Sequence, residues 1–136
     1  MKAEQSSLYR HLEMLHLWCI EVFENAPKQP MMQEDVRLLA ENIVSAQSAV
    51  AIALDTKDLR QRLDLIDVVV LNITSFKSIT KVITEYSSNP NRRMTVISKS
   101  QRIRMLELMS SIGEELGRWR NKTAFEYSKA NSSLPK

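Results

Sequence analysis

Apolar residues recur three and four positions apart in four stretches of the 136-residue chain. This spacing lines up side chains on one face of a helix, whereas a strand alternates its side chains between two faces. The pattern predicts helices over about residues 7–25, 34–54, 57–87 and 98–121. Short links between helices favour antiparallel neighbours. We therefore expect an all-α protein with the architecture of an up-down-up-down antiparallel four-helix bundle.

The helix ends carry ordinary start and stop signals. Ser6 or Ser7 is expected to cap the first helix, and Ser98 or Ser100 the fourth, because a serine hydroxyl accepts hydrogen bonds from the free N–H groups of a first turn. Pro27 ends the first helix. The apolar pattern dissolves after residue 122. The sequence thus predicts a bundle domain over 1–122 and a flexible tail over 123–136.

Helices two and three carry more apolar residues than one buried stripe needs. Ile52, Leu65, Val68, Val69 and Ile79 fall off the main stripe. A thicker core would explain them, and so would a second apolar face buried against another subunit. We expect a homo-oligomer.

The single cysteine, Cys19, lies in an apolar stretch and cannot form an internal disulfide. A buried structural thiol is the expected role, which suits a reducing compartment. The first residues lack the apolar core of a signal peptide, and the longest uninterrupted apolar run, 49–54, is too short to cross a bilayer. We expect a soluble, cytoplasmic protein without a membrane partner.

The sequence contains few residues in an arrangement that catalysis would need. His11 and His16 point to different sides of a helix, and no glycine-rich phosphate loop is present. Glu114 and Glu115 are expected to face water, with Glu114 near Arg118 one turn away. We predict a non-enzymatic protein without catalytic residues, metal or cofactor.

Gly113 and Gly117 lie one turn apart inside the fourth predicted helix. Each helix-interior glycine costs about 0.5–1 kcal/mol relative to alanine. We infer that the two glycines lack side chains so that a neighbouring backbone or ring can pack closely against the helix. Trp119 is expected to close one end of the core or a seam between subunits.

The charge of the chain is asymmetric. Residues 1–56 contain four Lys/Arg and eight Asp/Glu, a net charge of 4 − 8 = −4, whereas residues 57–136 contain fifteen and eight, a net charge of 15 − 8 = +7. A basic second half suggests nucleic acid as a partner, although a solvated face without a partner has the same composition. The candidate contacts are Arg92, Arg93, Lys99, Arg102, Arg104, Arg118, Arg120 and Lys122.

Position on the helix separates these candidates. Arg118, Arg120 and Lys122 lie near the predicted C-terminus of their helix, where cations also satisfy the dipole. Lys99 and Arg102 lie near its N-terminus, where the dipole opposes them and a ligand explains them better. No aromatic residues interleave the cations, so we expect sequence-independent, salt-sensitive phosphate contacts.

Two segments and one link also resemble a known family. The segments are Phe-Glu-Asn-Ala-Pro-Lys at 23–28 and Ile-Gly-Glu-Glu-Leu-Gly-Arg-Trp at 112–119, and the link is the minimal connection at 55–56. Over about residues 6–121 the chain resembles the bacterial four-helix-bundle proteins encoded by intervening sequences of ribosomal RNA genes. That family includes the accessory variability determinant of diversity-generating retroelements.

The resemblance implies a homopentameric barrel with a basic surface that binds nucleic acid and docks a reverse transcriptase. The resemblance assigns a packing role to Gly113, Gly117 and Trp119. The family's basic residues follow no motif that aligns with this sequence. The acidic first half departs from a uniformly basic barrel. The leading hypothesis is therefore an accessory protein for a reverse transcriptase that binds RNA or DNA nonspecifically. The alternative is a structural protein–protein interaction module without nucleic-acid binding.

Overall fold

The computed structural model describes residues 6–25, 30–87 and 97–132. All regular secondary structure in these ranges is helical, which confirms the prediction of an all-α protein with four helices. The helices are α1 (Ser7–Asn25), α2 (Pro30–Asp55), α3 (Leu59–Ser87) and α4 (Lys99–Ser132).

Polar side chains cap the starts of α1 and α3. The Ser6 hydroxyl accepts a hydrogen bond from the Tyr9 backbone N–H at 3.3 Å, which makes Ser6 the cap of α1. At α3, Asp58 Oδ1 accepts hydrogen bonds from the backbone N–H groups of Arg60 and Gln61 at 2.9 and 3.2 Å. The connection before α3 is therefore one residue longer than expected, because Asp58 leaves the helix to act as its cap.

A reciprocal capping box opens α4. The Ser98 hydroxyl accepts from the Gln101 backbone N–H at 3.1 Å, and the Gln101 side-chain oxygen accepts from the Ser98 backbone N–H at 2.9 Å. Ser98 is thus the cap, and Ser100 is not. The box holds the first turn of α4, which carries two of the predicted cations.

Two predicted helix boundaries are wrong. α2 begins at Pro30 and not at residue 34, since a proline suits the first position of a helix, where its missing N–H is not needed. α4 continues to Ser132, so residues 123–132 are helical and do not form the predicted tail. Thr123 is buried, which ties this extension to the rest of the molecule. Residues 133–136 lie outside the described part of the chain.

The helices pack as a ring in which each contacts its neighbours in sequence and α1 also contacts α4. Ser7 near the start of α1 lies beside Glu115 in the middle of α4, while Glu21 near the end of α1 meets Arg104 near the start of α4. The buried stripes meet in one core. Its largest fully buried side chains include Leu12, Leu15, Leu39, Ile43, Ile66, Phe76, Ile83 and Ile112.

The additional apolar residues of helices two and three divide between the core and the surface. Val69 is fully buried, and Leu65 and Ile79 pack against the core. Ile52 and Val68 stay exposed. The thicker core therefore accounts for three of the five.

One stretch of α2, Gln33–Asp55, is long and apolar enough by composition to cross a membrane, although the run 49–54 seemed too short from the sequence. Only 39% of its most apolar window is buried inside the molecule. A core helix of a soluble protein meets the same criterion. Cytoplasmic location therefore stays a prediction.

Candidate nucleic-acid interface

The structure places six of the eight predicted nucleic-acid contacts. Arg92 and Arg93 lie outside the described residues. The other six are all on α4 and all exposed, namely Lys99, Arg102, Arg104, Arg118, Arg120 and Lys122.

Two of the six have carboxylate partners on neighbouring helices. Arg104 pairs with Glu21 of α1, and Arg120 Nε donates to Asp67 Oδ1 of α3 at 2.9 Å. All four side chains are about half exposed, so each bridge contributes less than about 1 kcal/mol. The bridges nevertheless give Arg104 and Arg120 a structural role and offset their charge.

The four remaining cations form two separate pairs. Lys99 and Arg102 are three residues apart on one flank of α4, and Arg118 and Lys122 are four apart further along. Among the described residues, none of the four side chains has an ion-pair partner. The sixteen residues from Arg102 to Arg118 are about four and a half helical turns, which puts the two pairs on nearly opposite sides of α4. The structure therefore does not bring the predicted residues into one site.

Arg102 of the first pair borders a groove between α3 and α4 that sequence reasoning did not identify, and Lys99 lies one turn before it on α4. The groove has a volume of about 400 Å³. Its floor is apolar and mostly buried, formed by Phe76, Met105 and Met109, with Thr80 beside them. Lys77, Lys81, Thr84, Arg102 and the half-exposed Leu106 complete its lining.

Lys77, Lys81 and Arg102 line this groove, and among the described residues no carboxylate lines it. Lys77 and Lys81 are exposed, lie one turn apart on α3, and have no ion-pair partner among the described residues. With Lys99 and Arg102 they form a set that we call the basic rim. The N-terminus of α4 adds the positive end of a helix dipole near Lys99. The basic rim therefore attracts anions without competition from a carboxylate among the described residues that line the groove.

The predicted site omitted Lys77 and Lys81 although their spacing was visible in the sequence. Residues four apart share a helix face, so the two lysines had to lie together. Their position beside Arg102 depends on how α3 packs on α4, which no local pattern encodes.

The position of Glu115 differs from the prediction that this residue faces water. It does not face water but lies between helices, where its Oε1 is 2.8 Å from His11 Nδ1 and accepts a hydrogen bond from the Ser7 hydroxyl at 3.0 Å. His11 Nδ1 is buried and has no hydrogen bond of good geometry among the described residues, so its close approach to the Glu115 carboxylate is its polar contact. The predicted pair of Glu114 with Arg118 does not form.

The two glycines of α4 do not accommodate a neighbour within the chain. Both are exposed, and a Cβ atom added at Gly113 or Gly117 would meet nothing within 4 Å. The prediction of close helix packing at these positions is therefore wrong for the described single chain. Trp119 packs against the core and lines a hollow with Leu8 and Leu54, so it covers one end of the core, the first of its two expected roles.

The chemistry of the interior agrees with a structural role for the thiol. Cys19 is buried, as predicted, and burial raises its pKa to about 12. A thiol that stays protonated at neutral pH is a poor nucleophile. Among the described residues, no group of three His, Cys, Asp or Glu side chains comes together to hold a metal ion.

Comparison of the chain with protein-family models, with curated proteins and with solved structures gives no match.

Proposed function

We propose that the protein is a non-enzymatic accessory protein that binds nucleic acid without sequence preference through the basic rim. The observation that carries the proposal is a set of exposed cations at one groove. Lys77, Lys81 and Arg102 line the groove, Lys99 lies one turn before Arg102 on α4, and among the described residues no carboxylate lines it. Arg118 and Lys122 provide a weaker second contact on the far side of α4.

The chemistry of the basic rim suits phosphate better than bases. Lysine and arginine neutralise backbone phosphates and release condensed counterions, which makes affinity fall steeply with salt. Base stacking needs an exposed aromatic ring. Among the described residues, Phe76 is the one aromatic side chain that lines the groove, and it is fully buried in the floor. Recognition therefore depends on charge and backbone shape.

The assembly and the protein partner belong to the same proposal. The ring of helix contacts and the reversed order of residues along α1 and α4 support an up-down-up-down bundle. Exposed apolar residues such as Leu17, Ile52 and Val68 support a homo-oligomer. A pentamer and a docked reverse transcriptase rest on the sequence resemblance alone.

The test compares two double variants that remove equal charge. Lys99→Gln with Arg102→Gln alters the basic rim. Arg10→Gln with Arg60→Gln removes two exposed arginines elsewhere, which also lack ion-pair partners among the described residues. Fluorescence anisotropy with a labelled duplex and a labelled single strand measures affinity at low and moderate salt. We expect the rim variant to lose about tenfold or more in affinity and to lower the salt slope by about two, and the control to change less than about twofold.

Equal losses of nucleic-acid affinity in both double variants would show that the overall charge attracts nucleic acid and that the basic rim is not a binding site. No binding by the wild-type protein at low salt would leave the alternative, a protein–protein interaction module. The apolar groove floor favours that alternative as a second function. Light scattering on the eluted protein gives the subunit number in the same samples.

A further inference from the structure

The floor of the α3–α4 groove offers a surface that a nucleic-acid backbone does not use. Met105 and Met109 are only 6% and 7% exposed, and Leu106 is 53% exposed at the groove edge. Phosphate groups are charged and gain nothing from contact with an apolar floor. Methionine is flexible and polarizable, and it recurs at surfaces that adapt to apolar partners. The floor therefore suits a ligand that brings apolar side chains.

The dimensions of the groove fit a short helix. Its lining runs from Phe76 to Thr84 on α3 and from Arg102 to Met109 on α4. At 1.5 Å per residue the α3 side is about 12 Å long, which is about two helical turns. A helix of that length presents apolar anchors at positions i, i+3 or i+4, and i+7. The groove is a partly open depression in the surface, unlike the enclosed sites that bury most of a small molecule.

The charges around the groove indicate which polar side chains a bound helix would carry beside its apolar stripe. Lys77 and Lys81 border it on α3 and Arg102 borders it on α4, and no carboxylate in the described part of the chain lines it. A helix with glutamate or aspartate beside its apolar stripe would pair with cations on both sides. A basic helix would be repelled.

We propose that the α3–α4 groove binds an acidic amphipathic helix of a partner protein. Apolar side chains of that helix pack on Met105, Leu106 and Met109, and its carboxylates pair with Lys77, Lys81 and Arg102. These cations belong to the basic rim, so the helix and nucleic acid exclude each other. Only this mutual exclusion rests on the proposed function, because the binding of the helix depends on the groove alone.

A second copy of this chain is the competing occupant of the groove. Its α4 carries Lys99, Arg102, Arg118 and Lys122 without ion-pair partners among the described residues, so a copy that docked through α4 would bring further cations to the basic rim. The test below separates a second copy from a partner helix.

The probe is a synthetic, fluorescently labelled helical peptide of about 14 residues with leucine at i, i+3, i+4 and i+7 and glutamate on the flanks. One control peptide has the same composition in shuffled order, and another has lysine in place of glutamate. We expect the acidic amphipathic peptide to bind at least about tenfold more tightly than either control. Equal binding of the shuffled peptide, or no binding, would overturn the proposal.

Two leucine substitutions locate the peptide. Leu106→Gln should weaken peptide binding about tenfold and leave nucleic-acid binding within about twofold, because it alters the groove edge and removes no charge. Leu71→Gln changes an exposed leucine of α3 outside the groove and should affect neither ligand. Circular dichroism checks that both variants fold. Equal effects of the two substitutions would contradict binding in the groove.

Two further measurements separate the proposals. Lys77→Gln with Lys81→Gln should weaken both ligands, and unlabelled peptide should displace labelled nucleic acid. Peptide binding without any nucleic-acid binding would reject the proposed function and leave the groove proposal standing. A drop in the oligomer mass of the free protein caused by Leu106→Gln would identify a second copy as the occupant and overturn the partner-helix proposal.

Discussion

The indole N–H of Trp18 in α1 donates a hydrogen bond to the backbone carbonyl oxygen of Gln101 in the first turn of α4, at 2.9 Å. The same indole meets the ring of Phe76 edge to face, with ring centroids 6.0 Å apart. Gln101 precedes Arg102 of the basic rim, and Phe76 lies in the groove floor. A single buried residue of α1 therefore contacts both sides of the α3–α4 groove without lining it.

We predict that Trp18→Phe lowers the free energy of unfolding by about 2 kcal/mol, because it removes a buried hydrogen bond and part of the ring contact. Urea denaturation measures the change. Nucleic-acid affinity should fall modestly, because the start of α4 loses its link to α1. Trp119→Phe, at the other end of the core, should leave that affinity unchanged. An unchanged stability of the Trp18 variant would show that the hydrogen bond is not formed in solution.

Ser98→Ala should cost about 1 kcal/mol of stability, since it removes the acceptor for the Gln101 backbone N–H. Hydrogen exchange should become faster in the first turn of α4, which carries Lys99 and Arg102. Ser100→Ala is the matched control, because the hydroxyl of Ser100 contacts only that of Ser98, at 3.4 Å. Similar exchange rates in the two variants would argue against the capping box.

Gly113→Ala and Gly117→Ala should each raise the free energy of unfolding by about 0.5–1 kcal/mol, because alanine is the better helix former and its Cβ meets no atom within 4 Å. Thermal denaturation at several protein concentrations measures this. A concentration-dependent loss of stability would instead reveal a helix of another subunit packed against the glycines.

Cys19 should make stability fall at alkaline pH. Burial raises its pKa from 9.0 in the exposed thiol to about 12 in the folded protein. The unfolded chain thus releases the proton first, so the contribution to stability is complete below pH 9 and declines as pH rises from 9 towards 12, by up to about 1.4 kcal/mol per pH unit. Cys19→Ala should show a shallower decline in the same window. In the native protein the thiol should resist alkylation at pH 8, and rapid labelling there would contradict its burial.

Much of the fold was predictable because it depends on short-range spacing. Leu8, Leu12, Leu15 and Cys19 recur at helical intervals, and all four are buried. The cap at Ser98 followed from its position before an apolar-periodic stretch. Boundaries were less predictable where the apolar pattern fades. α4 continues through a polar segment that contains no proline or glycine before its end.

Packing between helices that are distant in sequence decided which cations belong to the candidate site. The sequence marked the cations of α4, but only the packing of α3 on α4 separates the unpaired Lys99 and Arg102 from Arg120, which meets Asp67. The same packing places Lys77 and Lys81 beside Arg102 and leaves Gly113 and Gly117 exposed. Helices, caps and buried stripes depend on residues a few positions apart, so the amino-acid order determined them. The ion pairs of Arg104 and Arg120 and the groove depend on residues tens of positions apart, and only the tertiary structure decided which of them meet.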